Sequence, residues 1–333
     1  MAEDRRLGAA YWIDHYVVGT NDLDRWIDFH ERVMGAKHKA NGPTPPGEGR
    51  PGEFLFVSDC HYGGFNQQKP LPPSEGLGKG LPRYGHYIRR GDVDEHLRRM
   101  DEHKVRHSDP IRTSAEGEAG TVIYFEDPDE NQFELWAPDV LPDGAMTDAG
   151  PLKVGRISNA VYQSRDLDRT RDFYGRYCGM DAVHSAEIAS DTLVFRLLGG
   201  ARVVFKQVSD LSKRTGGAAL WRGLHSAFVI RDEDFLPTYQ RLWGELSEWE
   251  YDGMRDGPLS VDPGSLSART GMHGSAAGRA WKQMYGRGDQ IYDWDTNSFH
   301  FAGGISDSPT MATYQPHYMD EHVDDFMKAR GPN

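Results

Sequence analysis

The chain has 333 residues, with 38 Lys and Arg against 51 Asp and Glu and a formal net charge of -13. That length exceeds what one core ordinarily organises, so two domains are expected, and the acidic balance without a basic stripe argues against a nucleic-acid partner. Cys60 and Cys178 are too few for a disulfide framework, the polar first residues lead into no apolar leader, and no run approaches the ~20 apolar residues of a spanning helix; a soluble, cytoplasmic protein with no membrane partner is expected.

Taken in order, residues 1 to 10 read as a polar arm and Tyr11 to Val18 as a strand whose alternation sets His15 on one face. Asp22-Leu23-Asp24 is a helix N-cap signal, and Leu23, Trp26, Ile27, Val33 and Met34 keep approximate helical spacing until Gly35 ends it. A further strand in Ala36 to Ala40, a Gly/Pro-rich loop over Asn41 to Gly52, and strands near Phe54 to Val57 and Tyr62 to Asn66 complete a first unit. A second Pro/Gly loop, Lys69 to Arg83, leads to a strand at Gly85 to Arg89 carrying His86 and a helix from Val93 to His103. Gly120 to Pro138 then reads as a hairpin: Val122 to Phe125 are β-branched and aromatic, and Asp127-Pro128-Asp129-Glu130-Asn131 is turn chemistry. Period-two alternation in its second strand puts Gln132, Glu134 and Trp136 on one face, so Glu134 is a carboxylate among apolar and aromatic neighbours that needs hydrogen bonds or a metal. Asp139 to Pro151 reads as an interdomain linker.

The pattern then restarts. Ile157 to Val161, followed by Asp166-Leu167-Asp168-Arg169, Phe173 and Gly179, mirrors Ile13 to Val17, Asp22-Leu23-Asp24-Arg25, Phe29 and Gly35, 144 residues on at every position. Strands near Thr192 to Leu197 and Arg202 to Val208, a strand from Leu224 to Val229 carrying His225, a helix over about Phe235 to Leu246 and a final hairpin in Gln290 to Ala302 carrying His300 complete the second half. Asp252 to Gly288, long and rich in Gly and Ser, reads as a functional excursion, and the tail Tyr314 to Asn333 holds one short amphipathic helix, Asp320 to Ala329.

Four such repeats, with His15 opening one unit and His86 and Glu134 in its partner, resemble the vicinal oxygen chelate superfamily, which includes glyoxalase I, fosfomycin-resistance proteins and the extradiol ring-cleaving dioxygenases. The resemblance implies an α+β fold of four βαβββ units paired into two modules, 1–150 and 151–333. Two modules in one chain are most similar to the type I extradiol enzymes, and Tyr124, Asp127, Pro128 and Glu134 match most of their signature. The sequence departs from it at Glu130, where the signature has Gly, and over Ser114 to Thr121, which lacks the signature His. Residue by residue, the resemblance implies a metal held by His15, His86 and Glu134, a 2-His-1-carboxylate set suited to Fe(II), with Mn, Ni or Zn as alternatives. In the second module the corresponding positions are Asn159, His225 and His300, which implies a metal-free module, although a different pairing of units across the modules would recruit His225 and His300 beside His15. Tyr124 is implied to hydrogen-bond substrate and His61 to move a proton. Arg89, Arg83 or Lys206 would pair with a substrate carboxylate, and His225 and His300 would contact substrate.

The function implied is Fe(II)-dependent opening of a dihydroxylated aromatic ring, catechol or hydroquinone/gentisate, by O2, in a chain that could form homo-oligomers. The alternative is a glyoxalase-like isomerase or lyase, or a thiol transferase, using the metal as a Lewis acid; a non-catalytic ligand-sequestering protein is the third class. His30, His38, His96, His103 and His107 are expected to face solvent, as are His273 and His317 in Gly-rich or terminal segments.

Overall fold

A computed structural model of the chain describes residues 8–38, 52–58, 60–67, 70–146, 152–212, 224–231, 291–292, 295 and 297–305, together with Arg214, Asp234, Thr238 and Arg241. The expected excursion, the tail and most of the helix over 235–246 lie outside the described residues, as do His273 and His317. The first unit is β1 (Trp12–Thr20), α1 (Leu23–Met34), β2 (Lys37–His38), β3 (Gly52–Val57) and β4 (Cys60–Asn66). Asp22 caps α1 by accepting from the Arg25 N–H, and Gly35 closes it at φ 65°, a left-handed conformation that glycine adopts without a Cβ clash. The second unit is β5 (Arg83–Tyr87), α2 (Val93–Glu102), β6 (Ile111–Thr113), β7 (Gly120–Glu126) and β8 (Gln132–Pro138). The third repeats the first with β9 (Ile157–Ser164), α3 (Leu167–Tyr177), β10 (Asp181–Ala182), β11 (Thr192–Arg196) and β12 (Arg202–Gln207). β13 (His225–Arg231), β14 (Ile291–Tyr292) and β15 (Ser298–Ile305) belong to the fourth.

These strands form two mixed sheets, and each draws on both halves of the chain. The seven-stranded sheet runs β14-β15-β13-β1-β4-β3-β2, and the eight-stranded sheet runs β10-β11-β12-β9-β5-β8-β7-β6. Unit one therefore pairs with unit four, through β1 antiparallel to β13, and unit two with unit three, through β5 antiparallel to β9. A boundary near residue 150 does not separate the sheets; the cross-pairing of units that sequence reading held as the alternative is the one present. The sheets pack through an aromatic layer in which Tyr16 of β1 stacks on Tyr84 of β5, ring centroids 4.1 Å apart, and on Tyr62 of β4 at 5.1 Å. Trp26 from α1 closes over Gly64, where any Cβ would lie 2.7 Å from the indole. His30 and His96, expected at the surface, are 0% and 3% exposed; His30 accepts or donates at the Tyr62 hydroxyl, 3.1 Å away, inside this layer. Among the described residues, no helix is long and apolar enough to cross a membrane.

Candidate metal centre

The aromatic layer decides which side chains can meet. In β1, Tyr16 points into the layer, so His15 points to the opposite face of the seven-stranded sheet. In β5, Tyr84 and His86 point into the layer, so Arg83 and Gly85 belong to the opposite face of the eight-stranded sheet. Glu134 joins them, because its partner across β5 is Gly85 and not His86. The trio His15, His86 and Glu134 is therefore not brought together. His86 spends both ring nitrogens inside the layer, Nε2 with the Tyr16 hydroxyl at 3.0 Å and Nδ1 with the Gly155 carbonyl at 3.1 Å, and burial lowers its pKa to about 4. Glu134 spends both oxygens on its own sheet, accepting from Arg83 Nε at 2.5 Å and from Asn159 Nδ2 at 2.8 Å. A one-residue step in register moves a side chain to the other face, and that step separates the expected ligands.

What gathers around His15 comes from its own sheet. His61 on β4 is its direct parallel partner, and the two ring centroids lie 4.5 Å apart. His225 on β13 arrives from 210 residues away, its Nε2 3.1 Å from His15 Nε2. All three are buried, at 0%, 0% and 4% exposure. His300 on β15 stands at the register position of Ala227, itself the partner of His15, so it occupies the same row across the sheet. Asp14 completes the group. A register shift between Ile13 and His15 turns the carboxylate back, and its Oδ2 accepts from His15 Nδ1 at 2.7 Å. Strict alternation sends Asp14 to the far face, which is why sequence reading missed it; a β-bulge carries no clear residue signal here.

This geometry fits a divalent ion. With Nδ1 of His15 on the Asp14 carboxylate, Nε2 is the nitrogen turned toward His225, the carboxylate–histidine arrangement that orients a ligating imidazole. Two nitrogens bound about 2.1 Å from one ion at near right angles lie about 3 Å apart, close to the 3.1 Å seen. Asp14, His15 and His61 each offer a ligand atom, all within 4.8 Å of one another. Phe54 and Phe56 pack on His61 at 5.3 and 5.7 Å between centroids and supply an apolar wall.

The remaining expected residues fall elsewhere. Tyr124 is the cross-strand partner of Glu134 and lines a cavity of about 430 Å³ on the outer face of the eight-stranded sheet, together with Arg83, Lys206 and Trp136. Arg83 lies over its ring at 4.8 Å, and burial pushes the Tyr124 phenol up to about 12. Arg89 is exposed beyond the end of β5 and lines neither face. Asn159, read as standing where the first module has a ligand histidine, and Arg202, read only as a strand position, are a buried pair in register across β9 and β12.

Residues 12–135 match the family model described as Glyoxalase/Bleomycin resistance protein/Dioxygenase superfamily. No curated protein matches the chain. Among solved structures, the fold is similar to a protein from Bacillus subtilis subsp. subtilis strain 168 assigned as a dioxygenase by inference, with 12% identity, 96% of each chain covered and a TM-score of 0.59. It is similar also to glyoxalase I from Zea mays, with 13% identity, 88% of this chain and 92% of that one covered and a TM-score of 0.52. At such identities the likeness is one of fold. Residues 12–135 thus carry the match to the glyoxalase/bleomycin resistance/dioxygenase superfamily, and over the rest of the described chain the likeness is one of fold.

Proposed function

We propose that the chain is a divalent-metal enzyme whose ion is held by His15, His61 and His225 on the seven-stranded sheet, with His300 in the same row, and that it opens the ring of a dihydroxylated aromatic with O2. The observation that carries the reading is the 3.1 Å approach of two imidazole Nε2 atoms from strands 210 residues apart, one of them oriented by a buried carboxylate. Imidazoles suit Fe, Zn, Cu and Ni, and Fe(II) bound there would supply the redox and chelating chemistry that a diphenol and O2 require. The chain's own contribution is orientation and exclusion of water. Asp14 fixes the His15 tautomer, while Phe54 and Phe56 keep the histidine face dry, so charge on a bound diphenolate is felt in a low dielectric.

The test is anaerobic loading with Fe(II), followed by oxygen-electrode screening of catechols, hydroquinones and gentisates. Oxygen consumption in step with ring opening is expected, lost in His15→Ala. Turnover of a hemithioacetal or an epoxide with Mn or Ni, and no oxygen uptake with any diphenol, would replace this reading by the Lewis-acid one.

A further inference from the structure

The cavity on the eight-stranded sheet is built for a ligand of its own. At the positions where the other sheet carries His15, Ala227, His61 and His300 in one row, this sheet carries Gly85, Asn159, Glu134 and Arg202. Both oxygens of Glu134 are taken by Arg83 and Asn159, and two buried guanidiniums face the same space, so a metal ion is disfavoured there. Arg83, Arg202 and Lys206 line the cavity as cations, paired with Glu116, Glu118 and Glu134 to unequal degrees, and Lys79, Glu75 and Asp191 line it as well.

Arg202 is the group with bonds left to make. It is 1% exposed, lines the cavity and stacks on Trp136 at 4.5 Å from the ring centroid. Its Nη1 is 3.5 Å from Glu116 and its Nε 3.8 Å from Glu118, beyond hydrogen-bonding range, and its Nε and Nη2 have no hydrogen-bond partner among the described residues. Nε and Nη2 form one edge of the planar guanidinium, the fork that matches a carboxylate with two parallel bonds. A buried guanidinium with that edge unsatisfied is costly unless something fills it. The apolar part of the wall includes Val122, Tyr124, Trp136, Leu81 and Val208, and about 430 Å³ accommodates a single ring or short chain.

We propose that this cavity binds a small monocarboxylate with an apolar or aromatic body, its carboxylate on the Nε/Nη2 edge of Arg202 and its body against Trp136 and Tyr124. The site is independent of the metal centre, since the aromatic layer lies between the two faces.

Benzoate is a suitable probe, titrated calorimetrically into the metal-loaded, full-length protein. One saturable site is expected; Arg202→Lys, which keeps the charge and loses the fork, should weaken it by roughly tenfold or more with metal content unchanged. Lys206→Met, at a half-buried position, should weaken it by a smaller factor through the lost positive charge and serves if the Arg202 variant does not fold. His15→Ala should leave benzoate binding intact. No saturable binding, binding undiminished in Arg202→Lys and Lys206→Met, displacement by inorganic phosphate at equal concentration, or loss of binding in His15→Ala would each overturn the proposal.

Discussion

Where β1 meets β4 in the seven-stranded sheet the facing residues are His15 and His61, and where β13 meets β15 they are Ala227 and His300. The matching junctions of the eight-stranded sheet pair Gly85 with Glu134 and Asn159 with Arg202. The scaffolds are alike, down to a register irregularity in the first strand of each, between Ile13 and His15 and between Gly85 and His86. The chemistry is not: one row offers imidazoles, the other a carboxylate ion-paired to a guanidinium beside a second guanidinium. The difference teaches that the fold supplies matching facing positions in each sheet, and the residues placed at and beside them set its chemistry, imidazoles on one sheet and paired charges on the other. Even Gly85 follows this logic, because a Cβ there would fall 2.1 Å from Asn159 Oδ1 and 2.8 Å from Glu134 Cγ.

The comparison breaks most visibly on metal content. His15→Ala or His225→Ala should reduce bound Fe(II) from one per chain to near none by elemental analysis, while Glu134→Gln should retain it. Asp14→Asn, which keeps the shape and loses the charge that orients His15, should weaken metal affinity roughly 10–100-fold. Metal lost in Glu134→Gln and kept in His225→Ala would reverse the assignment of the two faces.

The second way concerns stability. Arg83→Met leaves the Glu134 carboxylate buried, 2% exposed, with only Asn159 for company, and should cost about 3–5 kcal/mol in urea unfolding. The double variant Arg83→Met, Glu134→Leu should recover most of that, since removing both charges leaves no ion uncompensated. A single variant costing under about 1 kcal/mol would mean that the network is solvated and the face is not closed.

Much of this architecture was legible in the sequence. The 144-residue offset, the caps at Asp22 and Asp166, the hairpin turn at Asp127 to Asn131 and the face shared by Glu134 and Trp136 all rest on local chemistry, and the strands and helices stand where that chemistry puts them. The candidate site was legible only in part of its membership: His15, His61, His225 and His300 were each singled out, but Asp14 and the grouping were not. Grouping depends on which units pair and on one-residue register, both set by contacts such as Tyr16 on Tyr84 that span the whole chain. His30 shows the same limit, since it sits on a helix face that is solvent-exposed in isolation and is covered by Tyr62 and Phe133 only after the sheets assemble.

The third prediction uses the layer between the faces. Burial lowers the pKa of His86 from 6.5 to about 4, so above about pH 6.5 it is neutral in both states and its contribution is fully present. Below that the unfolded chain takes up a proton that the folded one refuses, and stability falls as the pH drops toward about 4. Between about pH 7 and about pH 5 this amounts to about 2 kcal/mol. His30 and His96, also lowered by burial, add to the same trend, so the reading must come from a difference. His86→Gln, whose amide can still meet the Tyr16 hydroxyl, should flatten the urea-unfolding profile over that range by about one proton's worth of slope. An unchanged slope would place His86 in water and open the layer that separates the faces.

The smallest effect tests whether the scaffolds really are alike. Asp22 opens α1, beside the histidine sheet, and its carboxylate accepts from the Arg25 N–H at 3.0 Å. Asp166 opens α3, beside the other sheet, and accepts from both the Asp168 and Arg169 N–H groups, at 3.1 and 3.0 Å. Each satisfies N–H groups that a helix start leaves without an internal partner, and each faces the positive end of the helix dipole. Replacing either by Ala should therefore cost about 1 kcal/mol, with Asp166→Ala at least as costly because two donors lose their acceptor. Neither change should alter metal content or benzoate binding, since both caps lie away from the four facing positions. A cap substitution that emptied the metal centre would mean that α1 positions the histidine row directly, and the division between a common scaffold and two divergent faces would no longer hold.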